Sequence, residues 1–311
     1  MRTGAVIVAA GHKSPVAFRP MLPVGDTTVI RRIIITLQQA GVDPVVVITG
    51  KQGEELEKHV SKLRVICLRN EQYESTQMYN SICMGLAYLD GLCDRVLVLP
   101  AKYPLLLPRT VSTLLASSAP AACPVYEGRR GHPVLIGAGL IPRLLAYNGP
   151  RGLRGALRQP EVDALMEEIP VKDEGILWPV EGDEPDLEPL QGREQIPIHP
   201  KVRLSLAREE EFFDPAMAQF LMVTDHTGSM QTACRQMHMS YTKGWKMLKE
   251  AEKQMGSPLL ISQSGGAEGG SSKLSDSAAQ FLNRYLQMEK ELDETARRLY
   301  QKYFSEENEE H

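Results

Sequence analysis

The chain has 311 residues, of which 42% are hydrophobic and 24% charged, and its formal net charge is −4. This balance is that of a globular protein of about two domains, and five cysteines without a C-x-x-C pair argue for reduced thiols rather than disulfides or a zinc site. No apolar run approaches the roughly 18 residues that span a bilayer, and the start MRTGAVIVAAG lacks the features of a secretion signal, so we expect a cytoplasmic protein without membrane association.

The first part of the chain alternates strand-like and helical patterns. The strand-like apolar runs are Ala5–Ala10, Val45–Thr49, Val65–Leu68 and Arg95–Leu99. The helical patterns lie near Thr28–Ala40, Gly53–Lys62, Thr76–Leu89 and Pro108–Ser117. This alternation predicts an α/β domain, and the continuously apolar strands favour a mostly parallel sheet covered on both faces.

The pattern breaks around Val180–Pro200, which is rich in proline, glycine and charge. We read this segment as the end of a first domain and a linker. The predicted organisation is a domain over residues 1–190, a linker over 191–201 and a second domain over 202–311.

The second domain is mainly helical by its capping signals. Asp214 precedes a helix that starts at Pro215 and runs to about Thr224; Ser229 precedes Met230–Met237, and Ser240 precedes Tyr241–Met255. These are the proportions of a helix-turn-helix. Pro258–Ser262 and Ser271–Leu274 then predict a β-hairpin whose tip is the segment SGGAEGG.

A long helix is expected from Ser275 to about Phe304. Its apolar positions step by three and four: Ala278, Phe281, Tyr285, Met288, Leu292, Ala296, Leu299 and Tyr303. We favour a dimer formed through this heptad-like stripe, and the alternative is that the stripe packs on its own domain. The segment from Gly228 to Lys273 contains six basic and three acidic residues, which gives it a local net charge of +3 within an acidic chain.

Small residues follow the first strand in Ala9-Ala10-Gly11, where backbone N–H groups can approach a phosphate, although many α/β folds have such a turn. Together with Leu22–Gly25, Ser81–Leu86 and Gly131–Leu135, it resembles the MobA/MocA-like nucleotidyltransferases of molybdenum-cofactor biosynthesis. Their signature LAAG-x-S-x-R-M-G-x-x-K is followed by LPLG-like, S-x-x-x-G-L and, in the cytidylyltransferase branch, GHPVL stretches. The resemblance covers about residues 1–190 and implies a Rossmann-like (GT-A-like) nucleotidyltransferase fold.

The resemblance implies transfer of a nucleotide from CTP or GTP to a pterin phosphate, with release of pyrophosphate. In the family, a loop lysine contacts phosphates and the aspartate of G-D-x-P holds Mg²⁺. Here these positions fall on Arg19 and, after the strand Arg95–Leu99, on Lys102, and an ammonium group cannot coordinate Mg²⁺. Arg19 and Lys102 are the candidate catalytic positions. The nucleotide-binding candidates are Ala9, Ala10, Gly11, Arg19, Ser81, Gly131 and His132.

Two interpretations of this site stay open. In the favoured one, the site has lost catalysis and Lys102 meets the phosphate charge directly, with no metal ion. In the other, other carboxylates hold Mg²⁺ with CTP or GTP and weak activity survives; Asp183 is a loose match to a later acidic position of the family. His132 is equally compatible with a ligand contact and with a structural role in a turn.

The second domain resembles the DNA-binding part of ModE, the molybdate-responsive LysR-like regulator. The matching stretches are Phe212–Pro215, Asp225–Met230 and Met239–Trp245, followed by a glycine-rich wing, over about residues 200–290. The resemblance implies a winged helix-turn-helix. The DNA-binding candidates are Ser229, Ser240, Tyr241, Thr242, Lys243, Lys246, Lys249 and Lys273, and we expect Trp245 to be a core residue.

These patterns predict a dimeric transcriptional regulator in molybdenum metabolism, whose degenerate first domain binds a nucleotide or a molybdopterin-like phosphate and whose second domain binds an operator. The alternative is an active cytidylyltransferase-like enzyme whose winged helix provides autoregulation or dimer contacts. A winged helix that docks a protein is a further possibility. Nothing after the long helix resembles the molybdate-binding domains of ModE, so direct molybdate sensing has no visible site in this sequence.

Overall fold

The computed structural model of the protein describes residues 1–11, 18–180, 196–263 and 271–304. The chain divides into two compact units, Met1–Ile196 and Pro197–His311, and each is described by itself. Within the described ranges, no helix has both the length and the apolar character that crossing a bilayer requires.

The first unit is built on one main sheet. Its strands, with the short hairpin β2–β3, are β1 (Thr3–Val8), β2 (Pro23–Val24), β3 (Thr27–Thr28), β4 (Val45–Thr49), β5 (Ile66–Arg69), β6 (Arg95–Pro100), β7 (Ala121–Tyr126), β8 (Arg129–Arg130), β9 (Val134–Gly137) and β10 (Met166–Pro170). The sheet order is β10-β7-β9-β6-β1-β4-β5, with β8 paired to β7. Strands β5, β4, β1 and β6 are parallel neighbours, and β9 runs opposite to β6 and to β7.

The described part of the first unit also contains helices. They are α1 (Val29–Gln39), α2 (Gly53–Val60), α3 (Met78–Leu89), α4 (Pro108–Ala116), α5 (Ile141–Leu145), α6 (Gly152–Leu157) and α7 (Pro160–Asp163). The residues of β1, β4 and β6 are all buried, as expected for strands covered on both faces. Ile30, Ile33, Ile34 and Leu37 of α1 are fully buried in the same core. The predicted α/β fold with a mostly parallel sheet is confirmed.

The second unit combines four helices with two short antiparallel sheets in its described residues. The elements are β11 (Leu206–Ala207), β12 (Glu211–Phe213), α8 (Pro215–Thr227), α9 (Met230–Gln236), α10 (Tyr241–Met255), β13 (Leu260–Gln263), β14 (Ser271–Leu274) and α11 (Asp276–Phe304). Asp214, Ser229 and Ser240 each accept a hydrogen bond from the backbone N–H three residues later. These bonds satisfy donors at the helix starts and confirm the three predicted caps.

Close packing of α9 against α10 depends on a glycine. A Cβ atom at Gly244 would lie 2.5 Å from Sγ of Cys234 on α9, so a larger residue would push the two helices apart. The core beside them is aromatic. Phe213 packs edge-on against Phe281 and Tyr285 at centroid distances of 4.9 and 4.8 Å.

The hairpin β13–β14 is fastened to α8, because Asp225 accepts a hydrogen bond from the backbone N–H of Leu274 at 2.9 Å. The tip SGGAEGG lies outside the described residues. The apolar stripe of α11 divides in two. Ala278 and Tyr285 are buried in their own unit, whereas Met288, Leu299 and Tyr303 are exposed. The first half therefore packs on its own domain, which is the alternative that the sequence left open.

Candidate functional site

The order of the parallel strands marks the ligand position that this fold class has by topology alone. Strands β4 and β5 extend the sheet on one side of β1, and β6 lies on the other side. The order therefore reverses between β1 and β6. In open α/β sheets, ligands bind outside the carboxyl ends of the strands at such a switch point. The residues that follow β1, β4 and β6 form this edge.

The turn after β1 is tightly packed against the turn after β4. Ala9 and Ala10 are buried, and the carbonyl of Ala10 accepts a hydrogen bond from the backbone N–H of Lys51 at 2.8 Å. A Cβ at Gly50 would lie 2.6 Å from the carbonyl oxygen of Ala10, and Gly11 has a φ of +85°. Both positions thus need glycine, and they bring Lys51 beside the phosphate-binding turn that the sequence predicted.

Lys51 is a functional candidate that the sequence analysis missed, because it belongs to none of the motifs quoted for the resemblance. A Cβ at Gly11 would lie 2.8 Å from Cβ of Lys51. Lys51 follows β4 and Lys102 follows β6, the two neighbours of β1. At about 4.8 Å per strand, their backbones lie roughly 10 Å apart, with the β1 turn between them.

Lys102 lies at the carboxyl end of β6 beside two aromatic rings. Its Nζ is 5.3 Å from the centroid of the Tyr103 ring, and that ring lies 4.7 Å from the ring of His132. A hydrogen bond fixes the loop that follows β6, because buried Arg32 donates from Nε to the carbonyl of Pro104 at 3.0 Å. The structure thus brings together two of the predicted site residues, Lys102 and His132.

Other predicted positions have structural contacts. Ser81 is buried, and its hydroxyl accepts a hydrogen bond from the side-chain amide of Asn70 at 3.0 Å. Gly131 is buried against Ile176, to whose Cδ1 a Cβ at this position would come within 2.7 Å. Arg19 starts a short 3₁₀ turn, Arg19–Met21, and is half-buried. Residues 12–17, between Gly11 and this turn, lie outside the described residues.

His132 is half-buried beside Lys102. Burial first, and then the positive charge of Lys102, lower the pKa of His132 to about 4, although a hydrogen bond to the backbone of Val98 opposes the shift. The Nδ1 atom is buried without a hydrogen-bond partner. Both observations describe a ring that stays uncharged at neutral pH beside a cation.

We expect the stability of the protein to depend on His132 between about pH 6.5 and pH 4. In this window the unfolded chain binds a proton and the folded chain does not, so the free energy of unfolding falls as the pH decreases. The loss amounts to at most about 3 kcal/mol. Urea unfolding of the wild type and of His132→Asn across this range measures it. The pKa of His59 is also lowered, first by burial. Because both proteins contain His59, the difference between their unfolding free energies reports on His132 alone.

The wild type should lose more stability than His132→Asn on acidification. Equal slopes for the two proteins would show that the His132 proton is not excluded from the folded state.

The residues present do not fit the magnesium site that the family resemblance implies. Lys102 stands at the end of β6, and its ammonium group has no lone pair to donate to a metal ion. The buried carboxylate of Asp173 accepts hydrogen bonds from Leu107 N, Thr110 Oγ1 and Gly175 N, so it is committed to the fold. Asp183 lies outside the described residues. Within the described ranges, no three His, Cys, Asp or Glu side chains are grouped to hold a metal.

In the second unit, helix α10 has one buried face and one exposed face that carries lysines. Gly244, Leu248 and Ala251 are buried. The residues opposite are exposed, and they include Tyr241, Thr242, Lys243, Trp245, Lys246 and Lys249. We call this set the α10 face. It carries positive charge together with hydroxyl and aromatic groups at the start of one helix.

Several predicted DNA-binding residues have internal partners. The hydroxyls of Ser229 and Ser240 cap α9 and α10. Lys249 Nζ pairs with Glu252 at 2.7 Å, and Lys273 Nζ donates to the carbonyl of Asp225 at 2.7 Å. The two capping roles were predicted from the sequence, whereas the partners of Lys249 and Lys273 were not.

The prediction that Trp245 is a core residue is wrong. Its side chain is 47% exposed. Trp245 follows Gly244 by one residue, which turns it about 100° away from the buried face.

Comparison with known proteins identifies the first unit. A family model described as MobA-like NTP transferase domain matches residues 5–166, just over half of the chain. A comparison with curated proteins finds no match.

Solved structures resemble part of the chain at low identity. A nucleotidyl transferase from Methanothermobacter thermautotroptrophicus is 22% identical over 55% of this chain and 88% of that chain, with a TM-score of 0.49. The manganese complex of Rv0371C from Mycobacterium tuberculosis is 19% identical over 55% and 89%, with a TM-score of 0.45. CMP:2-keto-3-deoxy-manno-octonic acid synthetase complexed with CTP is 14% identical over 62% and 97%, with a TM-score of 0.46.

Proposed function

The chain belongs to the MobA-like NTP transferase domain family, and on this premise we propose that its first unit binds a nucleotide or a pterin phosphate without transferring a nucleotidyl group. We further propose that the second unit binds DNA, so that the protein is a transcriptional regulator. The link to molybdenum-cofactor or molybdate metabolism rests on the resemblance of both parts of the sequence to proteins of that chemistry.

The observation that carries the first proposal is the charge at the end of β6. Nucleotidyl transfer requires neutralisation of the phosphates and, in this family, a carboxylate that holds a divalent ion. Lys102 supplies positive charge at that position directly. Lys51 adds a second cation on the other side of the β1 turn. Together with Arg19, they favour ground-state binding of a polyphosphate, and they offer no ligand for the ion that would activate it.

The α10 face supports the second proposal. Helices α9 and α10, with the hairpin β13–β14, have the element order of a winged helix-turn-helix, and the exposed residues lie in the first turns of α10, where recognition helices meet DNA. Because Lys249 and Lys273 have internal partners, we assign the main phosphate contacts to Lys243 and Lys246. Tyr241 and Thr242 are the candidates for base contacts.

The exposed half of the α11 stripe supports a homodimer. Met288, Leu292, Leu299 and Tyr303 continue the spacing of three and four beyond the part that packs on its own unit. A repeat of this kind suits an identical helix from a second copy. Two copies would present two α10 faces to successive half-sites of an operator.

A pyrophosphate-release assay with CTP or GTP, Mg²⁺ and molybdopterin tests the absence of transfer. We expect no release above the rate without protein. Robust turnover that disappears in Arg19→Ala would overturn the proposal. It would favour the alternative, an active cytidylyltransferase-like enzyme whose second unit serves autoregulation or dimer contacts.

A further inference from the structure

The second half of α11 carries a row of apolar side chains that the described residues of the chain leave open to solvent. The row consists of Met288, Leu292, Leu299 and Tyr303, whose exposed fractions run from 36% to 67%. Their spacing of four, seven and four residues keeps them on one side of the helix. We call these four residues the α11 row.

The α11 row is symmetric about its own middle. Met288 and Tyr303 lie equally far from a midpoint within Thr295–Ala296, and so do Leu292 and Leu299. The side chains at the midpoint are short, which lets the axes of two helices come close together there. In an antiparallel pair of identical helices, Met288 would therefore meet Tyr303 of the second copy, and Leu292 would meet Leu299.

Charged residues beside the row distinguish an antiparallel pair from a parallel one. Glu291, Arg298 and Lys302 are exposed, and their spacing of seven and four residues places them on the same edge of the row. We call them the edge residues. In an antiparallel pair, Glu291 of one helix lies opposite Arg298 and Lys302 of the other. In a parallel pair each edge residue would face its own copy, and like charges would repel.

The ion pairs within this half of α11 involve other residues. Lys290 pairs with Glu294 at 3.8 Å, and Arg297 pairs with Asp293. An antiparallel contact along the edge of the row would therefore break neither pair. The charge pattern thus complements a second copy of the same helix, in one direction only.

We propose that two copies of the protein associate through the α11 row in antiparallel direction, with the two-fold axis at Thr295–Ala296. This inference rests on the proposed homodimer and specifies its geometry. Tyr285 is the last buried residue of α11, and a rise of 1.5 Å per residue places its two copies roughly 32 Å apart along the helices. Half-sites one turn of DNA apart are separated by about 34–36 Å. A parallel pair would instead bring the two copies of Tyr285 within about 10 Å.

Reversal of the edge charges tests the direction. Glu291→Lys should weaken the dimer roughly tenfold at low salt, because attraction becomes repulsion at two symmetry-related places. The triple variant Glu291→Lys/Arg298→Glu/Lys302→Glu exchanges the charges and should restore the affinity of the wild type. Sedimentation equilibrium provides the dimer dissociation constants. Gln301→Lys is the matched control, because Gln301 is exposed on the side of α11 opposite the row.

Disulfide cross-linking locates the axis. Met288→Cys and Tyr303→Cys are oxidised separately and as an equimolar mixture after subunit exchange, with the wild type as the control for its five native cysteines. Two copies of residue 288 would lie about 22 Å apart along the helices, too far for a disulfide. We expect an additional interchain link in the mixture alone. Efficient linking of either variant with itself would overturn the antiparallel direction.

Leu292→Asp separates failure of the geometry from failure of the proposed homodimer. Leu292 is exposed in a single copy, so the variant should keep the melting temperature of a folded monomer, and it should be monomeric where the wild type is dimeric. A monomeric wild type would refute the homodimer and the geometry together. A dimer that survives Leu292→Asp, or that is unaffected by Glu291→Lys at low salt, would refute the antiparallel pairing and leave the homodimer in place.

Discussion

Replacing Lys102 by methionine should weaken binding of CTP or GTP roughly tenfold to a hundredfold, the equivalent of losing a charge-assisted hydrogen bond worth about 1.5–3 kcal/mol. Methionine keeps the length of the side chain and removes the charge that we assign to the phosphates. Isothermal titration calorimetry in EDTA measures the effect. Lys58→Met is the matched control, because Lys58 is an exposed lysine of α2 in the same unit.

The pKa of His132 reports on the charge of Lys102 in the absence of a ligand. Because the ammonium of Lys102 lowers the pKa of His132, Lys102→Met should raise that pKa toward its ordinary value, as followed by NMR of the imidazole. A folded variant with the raised pKa and unchanged nucleotide affinity would contradict the assignment of Lys102 to the phosphates. Affinity lost equally in Lys58→Met would contradict it as well.

Removing either Lys243 or Lys246 should flatten the salt dependence of DNA binding. Each cation that neutralises a phosphate releases counterions, so the slope of log K against log salt should decrease in magnitude by about one unit per lysine. Lys249→Ala should change the slope less, because Lys249 is paired with Glu252 at 2.7 Å. Fluorescence anisotropy with promoter fragments from the source genome, over a series of salt concentrations, provides the slopes.

The control for this series is Lys58→Ala, which removes a lysine of the first unit and should leave the slope unchanged. Slopes that respond equally to Lys58 and Lys243 would indicate attraction by overall charge. No salt-dependent binding to any fragment would remove the DNA proposal and favour protein docking through the same face.

Hydrophobic patterning was sufficient for the first half of the sheet. The pattern predicted Val45–Thr49, which is β4 as observed, and Arg95–Leu99, which is β6 without its last residue. Continuous apolar runs of this kind are buried on both faces and leave little ambiguity. The antiparallel strand β9 was not predicted, because Val134–Leu135 was read as part of a motif rather than as a strand.

Helix starts in the second unit were predictable because capping is local. Ser240 and the following residues determine the start of α10 without reference to any other element, and the observed helix is Tyr241–Met255 as predicted. The exposure of Trp245 was not predictable from its residue type. It depends on which face of α10 the rest of the unit covers, and that face carries Gly244, Leu248 and Ala251.

The site itself was only partly visible in the sequence. Ala9, Gly11, Lys102 and His132 were found through the resemblance, and the fold brings Lys102 and His132 together. Lys51 was missed, because its position depends on β4 lying next to β1 in the sheet. Parallel neighbours are far apart in the chain, and no local pattern records which strands become adjacent.

In the proposed site, cations rather than a metal ion hold the phosphates at the carboxyl edge of β1 and β6. The most direct test is the affinity of the wild-type protein for CTP and GTP, measured by calorimetry in EDTA and again in excess Mg²⁺. We predict that the two affinities agree within a factor of about three for the nucleotide that binds. Binding that requires Mg²⁺, or that tightens at least about tenfold when Mg²⁺ is added, would contradict the claim.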